Sequence, residues 1–431
     1  MSRIMDKSET AKPKTEYGTL ERGIEWYKTP GKQRRYRVRW QEPLTQTHRS
    51  KTFSKVADAR SFHSDARLKR ERGERIGRSD TRQIRLSEFV LNTWEFISKN
   101  SKSDKTWKRD TYIYNHYICR QLGPLPIDEI WTDEILNWQE ELMKDGVQNP
   151  TIIKARSILT SIFDKAILLS KTTGIKESPM PLIDKMKYER KIEIIIWHPL
   201  VIERIIWVLE HHSTRPTKSM ALQDAVYISI LASSGVRPAE GTALKWSSIT
   251  YDDKLSIEQA VVGDGLGPTK TGVNRKTPII APLDVDLARL RADRGEDRGK
   301  YVIENANGDH WSEDVYKNFR RRHFRPALRY VADTWEEFSK ALREDGVEHV
   351  PESVEGIEKT RLYDMRHFAS ALMLSSAKPI IDISYEHGHS VRVLSDRYSQ
   401  QMHGLGAQMD PAERMTIARK HVEKASNKIK E

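Results

Sequence analysis

Two charged segments that lack apolar periodicity, Arg72–Arg82 and Lys185–Lys191, divide this chain into three parts. Such segments bury too little apolar surface to join a core, so we expect both to be linkers. The length of 431 residues also favours about three domains. We therefore predict a multidomain protein, mainly α with small β-sheets, whose domains cover residues 15–75, 83–185 and 197–431 after a disordered tail at 1–14.

The composition excludes several classes of protein. No apolar run reaches the roughly 18 residues that a membrane span needs, so we expect no membrane association. The polar N-terminus is unlike a secretory signal peptide. The single cysteine, Cys119, cannot form an internal disulfide and argues against a cysteine-based zinc site. We expect a cytoplasmic protein without a bound metal or cofactor.

Positive charge is concentrated near the N-terminus. Residues 1–80 hold 21 Lys and Arg against 11 Asp and Glu, a net charge of +10 out of +12 for the whole chain. A basic module on a nearly neutral body is typical of a protein that binds a polyanion.

Three strands and one helix are predicted in this basic region, at Gly18–Trp26, Arg35–Gln41, Thr47–Phe53 and Lys55–Glu71. The second strand alternates apolar residues with arginines, so one face can pack and the other is basic. The candidate nucleic-acid contacts are Arg35, Arg37, Arg39 and, on the next strand, Lys51. A solvated charged strand is the alternative interpretation.

Helical patterns fill the second part of the chain. The expected helices are Leu86–Ser98, Ser103–Leu122, Thr132–Asp145 and Thr151–Ser170, punctuated by glycine and proline. This part has no candidate catalytic cluster, and we predict a compact all-α domain.

The third part is predicted to be helical at both ends, with strands between. Leu222–Ser233 is an apolar helix, while Leu255–Val262 and Thr277–Leu283 are expected to pair as strands. Val331–Lys359, with nine acidic and three basic residues, is interpreted as a surface insertion. The amphipathic helix at Pro411–Lys428 has two open interpretations, docking on a neighbouring protomer or packing on its own domain.

Residues able to perform chemistry occur in four short stretches of the third part, whereas the common nucleotide-loop, metalloprotease and hydrolase motifs are absent from the sequence. The stretches are Gly235–Glu240 with Arg237, Thr269–Gly272 with Lys270, Tyr363–Ser370 with Arg366, and Gly388–Ser390 with His389, nine residues before Tyr398.

Together these residues could transfer a phosphoryl group. Arginine forks match phosphate oxygens and keep their charge near neutral pH. A lysine can protonate a leaving oxygen, a histidine can donate to the phosphate, and a tyrosine becomes a nucleophile beside strong positive charge. Each residue alone also has a structural interpretation, and two have rivals nearby, Lys276 for Lys270 and Tyr385 for Tyr398.

The order and spacing of these stretches resemble those of the tyrosine recombinases, and among them the phage-type integrases. The resemblance covers about residues 199–401. It places the first arginine of the family pattern on Arg237, the hairpin lysine on Lys270, the second arginine on Arg366, the histidine of the G-H-S box on His389 and the nucleophile on Tyr398.

One residue departs from the family pattern, because Tyr363 stands where histidine is usual at the start of the second box. A phenol can hydrogen-bond a phosphate oxygen, but its pKa of about 10 makes it a poor base near pH 7. We therefore expect Tyr363 to position the phosphate. His367, which follows Arg366, is expected to pack structurally.

The resemblance implies a site-specific DNA recombinase that integrates or excises a mobile element through a 3′-phosphotyrosyl link, without metal or ATP. It implies an arm-type DNA-binding domain at 15–75 with a three-stranded sheet, a helical SAM-like core-binding domain at 83–185 and a mixed α+β catalytic domain at 197–431. Expected partners are double-stranded DNA at core and arm sites, further copies in a homo-tetramer, an excisionase and a DNA-bending host factor. A topoisomerase IB-like nicking-resealing enzyme and a catalytically silent DNA-binding regulator are the alternatives.

Overall fold

The computed structural model describes residues 15–29, 33–41, 48–71, 76, 84–184, 186, 194–263, 265–295, 299–376, 378–398 and 409–430. They form two compact units that divide between Arg190 and Lys191, within the second predicted linker. The predicted tail at 1–14 and most of the first linker lie outside the described residues. Among the helices of this part of the chain, none is long and apolar enough to cross a membrane.

A four-stranded antiparallel sheet begins the first unit, in the order β1-β2-β3-β4. Its strands are β1 (Glu16–Glu21), β2 (Ile24–Lys28), β3 (Arg35–Gln41) and β4 (His48–Phe53). The sequence predicted three strands, and the first of them is in fact a hairpin. Gly23 takes a left-handed φ of +89°, which turns the chain between β1 and β2. The apolar face of the sheet packs on α1 (Val56–Glu71).

Helices form the rest of the first unit. They are α2 (Leu86–Phe89), α3 (Glu95–Lys99), α4 (Asp104–Ile113), α5 (Cys119–Leu122), α6 (Thr132–Lys144), α7 (Asn149–Leu168) and α8 (Ser170–Thr173). Single π-turns join α2 to α3 and α4 to α5, so the chain forms two longer helices close to the predicted bounds. Their core contains Trp94, Trp138 and Phe163, which are almost completely buried.

The sheet docks on the helical bundle through an aromatic cluster. Trp40 on β3 lies edge-on to Trp131, which precedes α6, with 4.9 Å between the ring centroids. Ser50 on β4 donates a hydrogen bond to a carboxylate oxygen of Asp133 at 2.5 Å. The sheet and the helices, predicted as separate domains, therefore share apolar contacts within one unit.

The second unit is built around α10 (Lys218–Ser234), which is buried on all sides from Ala221 to its end. A helix that is apolar all round belongs in a core. It packs against α9 (Pro199–His211), α12 (Leu283–Arg294) and α15 (Leu362–Leu374). The other helices are α11 (Pro238–Gly241), α13 (Glu313–Phe319), α14 (Arg325–Glu344), α16 (Ile380–His387), α17 (Val391–Tyr398) and α18 (Pro411–Lys430).

Two small antiparallel sheets accompany these helices. In the first, β5 (Lys254–Ile257) pairs with β8 (Arg275–Pro278), and in the second, β6 (Gln259–Val262) pairs with β7 (Gly265–Pro268). The predicted strand Leu255–Val262 is thus two strands with different partners. The first sheet contacts α16 through β8, and the second contacts α11 through β6.

The acidic segment 331–359 is not a surface insertion, so that prediction was wrong. Its first half belongs to α14, where Val331, Trp335, Phe338 and Leu342 are buried along one face. Spacings of three and four residues place these side chains on one stripe, while the carboxylates occupy the other faces. The many carboxylates suggested a surface segment, but the apolar residues between them form a stripe that packs into the core.

The C-terminal helix α18 packs on its own unit, as the second of its two interpretations expects. Met415, Ala418, Val422 and Ala425 are buried, and the helix contacts α9 and α14. Arg419 on its surface donates to Glu203 at 2.7 Å and also binds Asp286.

Candidate active site

Arg237 is placed by a sharp turn at the end of α10. Gly235 adopts a φ of +63°, and a Cβ at this position would lie 2.6 Å from the His387 ring, so both conformation and space require glycine. The guanidinium of Arg237 donates to Glu240 Oε1 at 2.8 Å and to the Gly388 carbonyl oxygen at 2.9 Å. Its side chain remains 15% exposed, so its other N–H groups can reach a ligand.

A second arginine, Arg275 on β8, binds the same carboxylate. Its two terminal nitrogens donate to Glu240 Oε1 at 3.1 Å and Oε2 at 2.5 Å, and its Nε donates to the Glu386 carbonyl oxygen at 2.9 Å. Burial opposes ionisation of Glu240, but the hydrogen bonds and charge of Arg275, aided by Arg237, hold the pKa of this carboxyl below its usual value. The sequence reasoning missed Arg275, although it immediately precedes Lys276, the rival of Lys270.

The second predicted arginine, Arg366, is fully buried on α15. One terminal nitrogen donates to the Gly235 carbonyl oxygen at 2.5 Å, the other donates to the His387 carbonyl oxygen, and Nε donates to His389 Nε2 at 3.1 Å. Burial and the charge of Arg237 lower the pKa of Arg366 to about 10, so it stays protonated near pH 7.

His389 is held as a neutral donor. Its Nε2 accepts the Arg366 hydrogen bond, so the single ring proton must sit on Nδ1. Burial and the adjacent Arg366 charge lower the pKa of His389 to about 2, which prevents a second protonation. The neighbouring His387 is also neutral, because burial and Arg366 lower its pKa, and its Nδ1 is hydrogen-bonded to Ser370 Oγ at 2.9 Å.

Tyr398, the predicted nucleophile, ends α17 with its side chain inaccessible to solvent. Its hydroxyl lies 2.5 Å from Nδ1 of His367, the residue that follows Arg366 on α15. The rings of His367 and Tyr363 also meet edge to face, 5.1 Å apart. The sequence predicted a structural role for His367, whereas the structure places its ring nitrogen against the hydroxyl of Tyr398. The rival Tyr385 is 59% exposed on α16.

Lys270 lies apart from this cluster. It is exposed in the turn between β7 and β8, where Gly272 takes a φ of +69°. Within the described part of the chain, the structure gives no contact between Lys270 and the two arginines. Lys276 on β8 faces Asp252 at 3.8 Å instead. The structure therefore brings together Arg237, Arg366 and His389, places Tyr363 beside His367, and leaves Lys270 on a solvent-facing hairpin.

In the first unit, the arginine strand has the expected two faces. Val38 and Trp40 are buried, while Arg39 is 59% exposed and pairs with Glu25 at 3.2 Å. Arg35 is half-buried, as is Arg37, which stacks over a tyrosine ring.

Lys51 has different surroundings from those three arginines. Its ammonium group lies 5.0 to 5.4 Å from the ring centres of Phe53, Phe62 and Trp131. Burial lowers its pKa, against the opposing charges of Glu177 and Asp128. This position suits packing between sheet and helices better than a phosphate contact.

The second unit therefore gathers two guanidinium groups and a neutral histidine N–H around one point. Each guanidinium has five N–H donors, and the protein uses only some of them. Arg237 is 15% exposed and can bind a phosphate oxygen, whereas the fully buried Arg366 can do so only once it becomes accessible. Such an arrangement stabilises the negative charge of a phosphoryl transition state. A tyrosine hydroxyl close to such positive charge is able to act as a nucleophile.

Comparisons with known proteins point to one family, although no family model matches the chain. The tyrosine recombinase XerD of Rickettsia bellii is 31% identical over 185 residues, which is 42% of this chain and 56% of that protein. The ICEBs1 integrase of Bacillus subtilis is 23% identical over 194 residues, 45% of this chain and 48% of that protein. The chain thus spans about half the length of the curated relatives it matches.

Solved structures share the fold at low sequence identity. The Tn1549 transposon integrase in complex with transposon right end DNA superposes with a TM-score of 0.52 at 14% identity, over 78% of this chain and 99% of that one. A lambda integrase tetramer bound to a Holliday junction gives a TM-score of 0.52 at 16% identity, over 91% of this chain and 96% of that one. The mainly helical fold with small antiparallel sheets is that of the integrases, and the resemblance to tyrosine recombinases is confirmed.

Proposed function

From its resemblance to the tyrosine recombinases, we propose that this chain is a site-specific DNA recombinase that cuts and rejoins DNA through a covalent 3′-phosphotyrosyl intermediate. One observation carries the proposal. Three distant stretches of sequence meet here: Arg366 donates to His389, and Arg237 donates to the carbonyl oxygen of Gly388, the residue before His389. The residue after Arg366, His367, holds the Tyr398 hydroxyl.

In the proposed reaction, the scissile phosphate binds to the free N–H groups of Arg237 and Arg366 and to Nδ1–H of His389. The phenol oxygen of Tyr398 forms a bond to phosphorus while the bond from phosphorus to the 5′-oxygen breaks. Lys270 on its hairpin donates a proton to that leaving oxygen, and Tyr363 orients the phosphate. The energy of the broken bond stays in the phosphotyrosyl link, so rejoining needs no ATP.

The buried state of Tyr398 sets a condition on this reaction. A hydroxyl with no solvent exposure cannot meet a DNA phosphate, so the nucleophile must become accessible when DNA binds. The exposed turn that carries Lys270 must likewise approach the phosphate, because its ammonium group is not part of the arginine cluster. The same condition applies to Arg366, which is fully buried, whereas Arg237 is already partly exposed.

The remaining parts of the chain have proposed roles in DNA binding. Residues 15–75 would bind arm sites through Arg35, Arg37 and Arg39, residues 83–185 would bind the core site, and residues 197–431 would catalyse strand exchange. The comparison with a lambda integrase tetramer on a Holliday junction supports a homo-tetramer on DNA as the active assembly. An excisionase and a DNA-bending host factor would control direction when a mobile element integrates or excises.

A nicked suicide DNA substrate tests the proposal, because loss of the short cleaved fragment traps the covalent adduct. The wild-type chain should form an adduct that migrates with DNA under denaturing conditions, and Tyr398→Phe should form none. Tyr385→Phe is the matched control and should retain adduct formation, because that ring is exposed on α16. An adduct that persists in Tyr398→Phe contradicts the assignment, and no adduct in wild type contradicts the function.

A second assay separates recombination from nicking and resealing alone. Purified protein is incubated with a supercoiled plasmid that carries two cognate sites. Recombinant circles support the recombinase, whereas relaxation without exchange supports the topoisomerase-like alternative. A regulator without catalytic activity would bind the sites and yield neither product.

A further inference from the structure

The proposed reaction leaves the proton of Tyr398 without an acceptor. A free phenol has a pKa of about 10, so at pH 7 almost all of it is protonated and only weakly nucleophilic. The family pattern usually has a histidine at the position of Tyr363, and a second phenol there is a poor base near neutral pH. Another group must therefore receive this proton if the chain cleaves DNA at physiological pH.

His367 has the position that this role requires. On α15, residues 363, 366 and 367 are separated by three and four positions, so Tyr363, Arg366 and His367 lie on one helix face. His367 is 3% exposed, and its Nδ1 is 2.5 Å from the Tyr398 hydroxyl oxygen, within the distance for direct proton transfer. A side chain that only filled space would not need to point a ring nitrogen at the nucleophile.

We propose that His367 is the general base that activates Tyr398, an inference that rests on the proposed recombinase function. In the cleavage step the proton of the Tyr398 hydroxyl moves to Nδ1 of His367, and the phenol oxygen bonds to phosphorus as the bond to the 5′-oxygen breaks. Lys270 supplies the proton that the leaving oxygen takes up. In rejoining, the attacking 5′-hydroxyl gives its proton back to Lys270 as its oxygen bonds to phosphorus, the phosphotyrosyl bond breaks, and His367 returns its proton to the phenol oxygen.

The charges around His367 couple this proton transfer to DNA. Among the residues that the structure describes, the titratable and charged groups around His367 include Tyr363 and Arg366 on its own helix, Tyr398 on α17, and His389, with which it interacts electrostatically. When His367 takes up the proton, it becomes a second positive charge near Arg366, and the two repel each other. A bound phosphate brings negative charge to the same place and offsets that repulsion.

The test uses His367→Asn in the full-length chain with the nicked suicide substrate. The asparagine amide can occupy roughly the place of Nδ1 and keep a hydrogen bond to Tyr398, but it cannot accept a proton. Single-turnover adduct formation at pH 7 should fall by about 100-fold or more, the scale of general base catalysis. Its rate should rise steadily from pH 6 to 9 as the phenol ionises unaided, whereas wild type should level off. His211→Asn, an exposed histidine at the end of α9, is the matched control and should behave as wild type.

Two chemical rescues distinguish a base from a structural residue. A difluorotyrosine at position 398, whose phenol is more acidic, should restore much of the His367→Asn rate at pH 7. A 5′-bridging phosphorothiolate substrate, whose leaving group needs no protonation, should rescue Lys270→Ala but not His367→Asn. If His367→Asn keeps the wild-type rate and pH profile, or if the fluorinated tyrosine fails to rescue it, His367 is not the base. If the wild-type chain itself forms no adduct, the result contradicts the proposed recombinase function and not only the role of His367.

Discussion

Arg275 binds both carboxylate oxygens of Glu240, at 3.1 and 2.5 Å, although the two residues are 35 positions apart in the sequence. The same carboxylate accepts a hydrogen bond from Arg237. Through this one buried anion, β8 fixes the orientation of Arg237, the first arginine of the proposed site. A contact of Arg275 with the Glu386 carbonyl oxygen extends the link to the helix before His389.

Replacing Arg275 should therefore damage both stability and catalysis. Arg275→Met keeps the side-chain bulk but leaves Glu240 with Arg237 as its one cationic partner among the residues that the structure describes. Removal of one partner from a buried ion pair costs about 3 kcal/mol, and we expect a loss of that size in the free energy of unfolding from urea titration. Adduct formation should fall at least about tenfold, since a misplaced guanidinium stabilises the transition state less. Lys340→Met, which removes an exposed pair with Glu344 at 4.0 Å, is the control and should leave the urea midpoint unchanged.

Gly235→Ala tests whether the turn after α10 is required for the site. The left-handed φ costs a non-glycine residue about 1–2 kcal/mol, and overpacking against the His387 ring should add about 1–3 kcal/mol. Gly346→Ala has a similar φ of +74° with open space around the new methyl group, so it should show the backbone cost alone. Thermal unfolding followed by circular dichroism measures both variants. Equal losses in the two would mean that His387 moves aside freely.

Stability should fall in mild acid because buried histidines resist protonation. Burial and the charges of Arg414 and His349 lower the pKa of His198 to about 4 in the folded chain, below its unfolded value of about 6.5. Its contribution is therefore complete above pH 6.5 and is lost as the pH falls toward 4.

His198→Asn isolates this effect. The His198 ring caps α9 by accepting from the Leu200 amide at 3.3 Å, and asparagine is also a good helix cap. The drop in unfolding free energy between pH 7 and pH 5 should be smaller in this variant by about 1–2 kcal/mol. His211→Asn should leave the drop unchanged. A variant as acid-sensitive as wild type would show that His198 does not titrate in this range.

The salt dependence of arm-site binding should differ between a variant of Arg39, which is exposed on β3, and a variant of Lys51, which lies among aromatic rings on β4. Arg39→Ala should lower the slope of log affinity against log salt concentration by about one, because one phosphate contact is lost. Lys51→Met should leave that slope unchanged, because its ammonium group lies among aromatic rings. A fluorescence anisotropy titration at several salt concentrations measures both. An equal decrease in the slope for the two variants would place Lys51 at the DNA after all.

Local patterns predicted most helices and the two-faced strand β3. Apolar periodicity, prolines and capping residues act within a few residues, so the helices of the first unit and α10 were found close to their observed bounds. The net charge of the segment 331–359 wrongly predicted a surface insertion. α14 carries many carboxylates but still buries Trp335 and Phe338 along one apolar face. The hairpin between β1 and β2 was predicted as a single strand, because a turn of two residues around Gly23 interrupts the strand pattern only briefly.

The sequence by itself determined which residues could carry the chemistry, since the order and spacing of Arg237, Lys270, Arg366, His389 and Tyr398 can be read without coordinates. Only the tertiary structure decided what surrounds them. Arg275 and Glu240 become partners, and His367 meets Tyr398, because packing of β8, α15 and α17 brings together side chains that no local pattern relates. Hydrogen bonds and pKa values depend on distance and burial, and both are properties of the folded chain.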